Sequence, residues 1–287
     1  MSDLIRTGTV EETKKYVNEW KKKGQTIGLV PTMGFLHEGH ASLIRRAVEE
    51  NDHVIVSDFV NPIQFGEGED LESYPRDFEA DCELVSSLGA DLIFHPQPEE
   101  MYQPGFATHI TVDGMSQKLC GISRPIHFSG VCTVVSKLFH ISEADRAYFG
   151  QKDAQQLAIV RRMVRDLNMP IEIIGCPIIR EEDGLAKSSR NTYLKDPEDR
   201  EAALILHKAL ELANRLIAGG ETDTRRIREQ MLDLIRQEPR ADVDYVEIVC
   251  WDSLEECDAI DGPVLVALAV RVGPVRLIDN IIRGGNV

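Results

Sequence analysis

The sequence predicts an α/β chain, a Rossmann-like parallel sheet domain followed by a smaller α+β C-terminal domain. Three observations carry that expectation. Short apolar runs at 26–30 (TIGLV), 53–60 (HVIVSDFV), 90–94 (ADLIF) and 171–175 (IEIIG) read as buried strands. The segments between them place apolar residues at helical spacing, and this alternation implies parallel strands covered by helices on both faces. After about residue 185 the order becomes helices followed by strands, the texture of a separate unit.

Each element has its own local signals. Residues 9–23 read as a helix, with Thr9 as N-cap, Glu12 completing a capping box and Gly24 as the stop. Residues 40–50 form a second helix on the stripe Leu43, Ile44, Ala47 and Val48. A third spans 77–87 and stops at Gly89; a fourth spans 131–141. The strand 147–149 leads to a helix over 153–167 that Pro170 closes. In the second unit, helices over 200–217 and 224–236 flank GGETD, and 243–250 and 264–270 are strands. The boundary is expected in the charged stretch 180–191, giving domains 1–184 and 185–287.

Composition excludes several classes. The 287 residues are 43% hydrophobic and 28% charged, an ordinary globular mixture. A net charge of −16 argues against a broad nucleic-acid surface, which needs basic patches. The six cysteines form no C-x-x-C pair, so reduced thiols are expected rather than a zinc site or disulfide framework. The N-terminus has no signal-peptide core, and no run reaches the ~20 apolar residues of a membrane helix. A soluble cytoplasmic protein, with no nucleic-acid or membrane partner, is the expectation.

The most informative stretch is 31–43, PTMGFLHEGHASL, which follows the first long strand and opens a helix. Doubly wound sheets bind nucleotides at this position, where free helix N–H groups and the helix dipole attract phosphate. Gly34 and Gly39 allow close backbone approach, and His37 and His40, three apart, place both imidazoles on one side of the first turn. Imidazoles there can donate to phosphate oxygens, whereas an isolated H-x-x-H would more often be two surface histidines. Neither a Walker-type loop nor G-x-G-x-x-G is present. Far downstream, LAKSSRN at 185–191 offers the cations Lys187 and Arg190 and the donors Ser188 and Ser189. Alone such a loop is usually just solvated; paired with the histidines it reads as a phosphate clamp.

His-x-Gly-His in this place resembles the nucleotidyltransferase superfamily. The ordered set PTMGFLHEGH, FVNPIQFGEGEDLESYPRD, RPIHFSGV, YFGQKDAQQL and DGLAKSSRN narrows the likeness, and the chain resembles the pantothenate synthetase (pantoate–β-alanine ligase) family over residues 26–194. Fainter likeness continues through DYVEIV and RLIDNI. The resemblance implies an ATP-dependent ligase that condenses (R)-pantoate with β-alanine through a pantoyl adenylate, releasing AMP and pyrophosphate. It also implies a homodimer.

By that resemblance ATP lies against Met33, Gly34, Phe35, Leu36, His37, Glu38, Gly39 and His40, and against Gly150, Gln151, Lys152 and Asp153. Ile179, Lys187, Ser188, Ser189 and Arg190 complete the ATP set. His37, His40 and Lys152 are the implied catalytic residues, with His37 the proton donor. Gln64 and Gln156 face pantoate, and Gln64 also faces β-alanine. Read as residues alone, Lys152 could be a solvated helix-start lysine, and Asp153 a helix cap or a ribose contact. Gln64 could likewise be an exposed loop amide. Asn61 is expected to order the NPIQF turn. Arg124 either meets the β-alanine carboxylate or braces the pocket through acidic neighbours. His127 is expected to be a satisfied buried histidine. Mg²⁺ is inferred from the triphosphate, with Asp81 as a candidate contact that could equally be a solvated helix residue. The second domain is expected to act as a lid hinged near Gly184.

Two other enzyme classes compete. A mononucleotide adenylyltransferase would be shorter and would lack VNPIQF and YFGQKD, and an aminoacyl-tRNA synthetase fits neither the size nor the charge. A nucleotide-sensing module would be expected to lose His37, Lys152 or the KSSRN loop, and all are present.

Overall fold

The computed structural model describes residues 4–285, which divide into two compact units. One takes residues 4–117, Gly121–Gly150 and Ile159–Cys176; the other takes Lys118–Cys120, Gln151–Ala158 and residues 177–285.

The first unit is built on β1 (Ile5–Thr7), α1 (Val10–Lys22), β2 (Ile27–Thr32), α2 (Glu38–Glu50), β3 (His53–Asp58), α3 (Phe78–Ser87) and β4 (Leu92–Phe94). Two short helices follow, α4 (Pro98–Met101) and α5 (Cys120–Ser123), then α6 (His127–Ser142), β5 (Arg146–Gly150), α7 (Ala154–Asp166) and β6 (Glu172–Cys176). Helices α5 and α7 each straddle the division between the units. The strands form one parallel sheet in the order β1-β4-β3-β2-β5-β6. From β2 the chain steps outward through β3 and β4, then returns to the other side of β2 as β5. The strand order therefore reverses between β2 and β5, and the crevice at their carboxyl ends is where such sheets bind ligands.

Local chemistry explains most boundaries. Thr9 caps α1 by accepting from the Glu12 amide. One face of the sheet packs Val30, Val54, Val56 and Ile93 against Leu43, Ile44 and Ala47 of α2 and Val85 of α3. Helix α6 buries twelve of its sixteen residues, so its amphipathic pattern is weak and its start at His127 precedes the expected residue 131. Strand β1, three residues long, is too short to show a period, and only its pairing with β4 makes it a strand.

The second unit contains α8 (Pro197–Ala202), α9 (Ile205–Ala218), α10 (Thr224–Ile235), β7 (Ala241–Cys250), β8 (Val264–Val272) and β9 (Val275–Arg283). The strands form an antiparallel sheet in the order β7-β8-β9. Leu206 and Leu210 of α9 and Ile227 and Met231 of α10 share a core with Val266, Leu268 and Val270 of β8. The helix expected over 200–217 is two helices, interrupted between Ala202 and Ile205 with no glycine or proline to mark it.

The sequence predicts a domain boundary at 184/185; the chain enters the second unit for the last time at Cys176/Pro177, after the earlier stretches Lys118–Cys120 and Gln151–Ala158. The stretch after β6 folds back on itself: Glu181 N donates to Leu185 O and Lys187 N to Ile179 O. Arg180 then forms a bidentate pair with the buried Asp279 of β9. These bonds tie residues 179–187 to β9 before the expected boundary is reached.

All six cysteines are free thiols. No described helix is long and apolar enough to cross a membrane.

Helix α6 meets the 3₁₀ turn Pro62–Gln64 at Gly130, where a Cβ would fall 2.5 Å from Gln64 Cα and 2.6 Å from Ile63 O. Gly130→Ala is expected to lower stability by about 1–3 kcal/mol through overpacking. Urea unfolding reads this; an unchanged midpoint would show that the turn yields freely.

Candidate active site

The loop between β2 and α2 is held by the buried carboxylate of Asp81. Gly34 and Phe35 both lie in the left-handed region, at φ 78° and 52°. A Cβ at Gly34 would sit 2.3 Å from Asp58 Oδ1 and 3.2 Å from Asp81 Oδ2, so packing as well as conformation requires glycine there. Phe35 N donates to Asp81 Oδ2 at 2.6 Å and Leu36 N to Asp81 Oδ1 at 2.7 Å. Thr32 Oγ1 accepts from Gly34 N at 3.2 Å and donates to Ser57 O at 2.7 Å.

This turn delivers His37 as the N-cap of α2. His37 Nδ1 accepts from Gly39 N at 3.1 Å, and His40 Nδ1 accepts from His37 N at 3.3 Å, a reciprocal capping arrangement. Both Nδ1 atoms being acceptors, the neutral imidazoles carry their protons on Nε2. The rings lie 4.1 Å apart, so two N–H donors are set side by side at the helix start. The sequence expected the imidazoles on one side of the turn; their mutual capping is what holds them there.

Both carboxylate oxygens of Asp81 accept from loop amides, so this helix acid is turned into the fold rather than to solvent. Burial, with repulsion from Asp58 and Asp77, pushes the Asp81 carboxyl up to about 6 against the pull of the two amides. Asp58 in turn faces His95: its main-chain oxygen is 2.8 Å from His95 Nδ1 and its carboxylate 3.6 Å. That carboxylate holds the imidazole above the ordinary histidine value.

The NPIQF turn presents Gln64, which is buried rather than an exposed amide. Asn61 orders it as expected, though through the Gln64 side chain: Nδ2 donates to Gln64 Oε1 at 2.9 Å and to Gly130 O at 3.1 Å. Gln64 Nε2 reaches Met33 Sδ at 3.1 Å. His127 Nδ1 sits 3.1 Å from Gln64 O, on a ring that is half-buried rather than buried as expected. Arg124 takes the bracing alternative, pairing with Glu69 through Nε at 3.0 Å and Nη2 at 2.5 Å. A Cβ at Gly150 would meet nothing within 4 Å, so packing does not demand glycine at the end of β5.

The second unit carries the remaining candidates. Gln151, Lys152 and Asp153 form a 3₁₀ turn leading into α7, with Gln156 one turn further. The turn is anchored on β9: Asn280 Nδ2 donates to Gln151 O and Lys152 O, each at 3.0 Å, and Gln151 Nε2 donates to Asn280 Oδ1 at 3.1 Å. Lys152 Nζ stands 3.7 Å from Asp153 Oδ2, a loose pair. The KSSRN loop is a short 3₁₀ segment, Ser189–Tyr193, capped by Ser188, whose hydroxyl accepts from Arg190 N. Asn191 braces it on Glu181 Oε1 at 2.9 Å and Ala186 O at 3.0 Å. Gly184, expected as a hinge, closes a tight turn at φ 96°, and a Cβ there would strike His207.

Several supporting residues were missed. Asp279 and Asn280 interrupt the apolar strand RLIDNII, a signal that could have been read. Asp58, at the polar end of HVIVSD, is another. Tyr102, whose hydroxyl donates to Asn61 Oδ1 at 2.6 Å, carries no pattern at all.

A model of the pantoate-β-alanine ligase family matches residues 6–282. The chain belongs to the pantoate-β-alanine ligase family. Pantothenate synthetase of Enterococcus faecalis is 58% identical over 95% of this chain and 96% of the relative. That of Ruminiclostridium cellulolyticum is 57% identical over the same shares. The crystal structure of the Thermus thermophilus pantothenate synthetase superposes with a TM-score of 0.92 at 43% identity, covering 97% of this chain and 99% of that one. The pantoate-β-alanine ligase from Francisella tularensis, solved in complex with β-γ ATP and β-alanine, gives 0.78 at 34% identity over 97% of each chain. The match takes in both compact units, so the chain is an enzyme of this family, and the resemblance read from its five motifs holds.

The Asp81 carboxyl gives a test of the loop. An acid whose pKa is higher folded than unfolded binds extra protons when folded, so the native state loses stability as pH rises between the two values. Relative to Asp81→Asn, the wild-type chain is expected to lose up to about 3 kcal/mol between pH of about 4 and about 6. Urea midpoints of both proteins across that range read it; parallel profiles would contradict the buried, raised carboxyl.

Proposed function

We propose that the chain joins (R)-pantoate to β-alanine at the expense of ATP, in two steps. A pantoate carboxylate oxygen attacks the α-phosphorus, the bond to the β-phosphate oxygen breaks, and pyrophosphate leaves. The β-alanine amine then attacks the carbonyl carbon of the pantoyl adenylate; the bond to the phosphate oxygen breaks, AMP leaves, and the nitrogen gives up its proton. Neither step needs a covalent bond to the protein, so catalysis is positioning and charge stabilisation.

The observation that carries this reading is the paired Nε2–H edge of His37 and His40 at the helix start where the sheet order reverses. Such donors suit oxygens that gain charge as the α-phosphorus becomes five-coordinate, with His37 as proton donor to the departing group. Met33, Gly34, Phe35, Leu36, Glu38 and Gly39 line the nucleotide in this assignment, and Gly150 leaves room for it. The same assignment gives phosphate contacts to Lys152 and to the cations and hydroxyls of Lys187, Ser188, Ser189 and Arg190, and ATP contacts to Gln151, Asp153 and Ile179. Gln64 and Gln156 take pantoate without adding net charge, and Gln64 also takes β-alanine. Mg²⁺ enters with the triphosphate, since this ion keeps waters and binds through substrate phosphates, and no step is assigned to a protein-held ion. The setting is a cytoplasmic homodimer, an assignment that sedimentation analysis and fractionation address.

AMP release should require both pantoate and β-alanine; release without either acid or amine would overturn the ligase reading. His40→Ala or Lys152→Ala is expected to lower kcat by about 10²–10³-fold with the fold intact. Near wild-type kcat in either variant would remove that residue from the chemistry. Gln64→Ala should raise the KM for pantoate more than that for ATP. A rise for ATP alone would reassign the glutamine.

A further inference from the structure

The direction of the Gln64 side-chain amide decides what it offers a ligand, because its oxygen only accepts and its nitrogen only donates. That direction is set from a distance. The Gly130 carbonyl can only accept, and Asn61 Nδ2 donates to it at 3.1 Å. The other N–H of the same Asn61 nitrogen goes to Gln64 Oε1 at 2.9 Å. Asn61 Oδ1 then faces away and accepts from the Tyr102 hydroxyl at 2.6 Å. Turning the Asn61 amide over would set its oxygen against the Gly130 oxygen, two acceptors with no proton between them. With Oε1 committed, the donor end of Gln64 is the end turned toward Met33, whose sulfur at 3.1 Å is a weak acceptor. The Tyr102 ring is itself held, with the Phe106 ring edge-on at 5.0 Å and Lys137 Nζ 5.9 Å from its centroid.

We infer that Tyr102 is a positioning residue that acts through Asn61 to fix Gln64 as a hydrogen-bond donor, so that the pantoate site selects an accepting oxygen, carboxylate or hydroxyl, at that point. The inference rests on the reading of Gln64 as a pantoate contact. Burial keeps the Tyr102 phenol above the ordinary tyrosine value, so its proton stays available to Asn61 at neutral pH. Without the hydroxyl, Asn61 Oδ1 loses its donor and the amide relay loses the group that completes it.

The test is a double-mutant cycle on the full chain, reading KM for pantoate, KM for ATP and the thermal midpoint. Tyr102→Phe is expected to raise the pantoate KM by about five- to 150-fold, the range for a buried acceptor left unsatisfied, with the ATP KM unchanged. In a Gln64→Ala background the same change should add less than about two-fold, because the group it positions is gone. An unchanged pantoate KM in Tyr102→Phe, or an equal rise in both backgrounds, overturns the inference. If Gln64→Ala alone leaves the pantoate KM unaltered, the assignment of Gln64 itself fails and the inference falls with it. Should Tyr102→Phe not fold, Gln64→Glu decides. It keeps the volume and still accepts from Asn61, yet offers only oxygen to the substrate. Its pantoate KM should rise at least ten-fold, and an unaltered value overturns the donor assignment.

Discussion

Two successive amides, Phe35 and Leu36, share the carboxylate of Asp81, and the site's geometry follows from that pairing. The chain leaves β2 through two consecutive left-handed residues, the second of them a phenylalanine, which the backbone alone disfavours by about 1–2 kcal/mol. An acceptor buried beneath the turn compensates, and the turn then delivers His37 as the N-cap of α2 with its Nδ1 already spent on the helix. The capping that stabilises the helix also settles which ring nitrogens carry protons. One carboxylate thus ties conformation, tautomer and donor direction together, with Asp58 as its close neighbour under Gly34.

The second unit solves the same problem with a different anchor. Asp279 and Asn280 sit side by side in β9; one takes the Arg180 guanidinium and the other takes the carbonyls of Gln151 and Lys152. Two stretches far apart in sequence, the GQKD turn and the hairpin before KSSRN, are referenced to adjacent residues of one strand. A strand interior is rigid, so both stretches are held to one fixed reference.

The sequence showed the parts that repeat a physical period or carry reactive groups. The alternation of apolar runs and amphipathic helices disclosed the parallel sheet, and HEGH after a strand disclosed the histidine loop. What stayed hidden was set by tertiary contact. Strand β1 exists only through β4, and α6 is too thoroughly buried to show a polar face at its start. Asp81 looked like one acid among several on a helix because nothing local shows that it turns its carboxylate to amides 45 and 46 residues earlier. Tyr102 lies 41 residues from Asn61, and no spacing rule links them. The pair Asp279–Asn280 is visible as a break in an apolar strand, but its partners Arg180, Gln151 and Lys152 lie about 100 or more residues away.

The proposed reaction turns on one event, a carboxylate oxygen of the acid meeting the α-phosphorus of ATP, and an isotope reads it directly. Pantoate carrying heavy oxygen in its carboxylate would be converted with ATP and β-alanine, and the released AMP weighed by mass spectrometry. Adenylation of the acid predicts one heavy oxygen in AMP and none in pyrophosphate. Unlabelled AMP, or label appearing in pyrophosphate or orthophosphate, would contradict it.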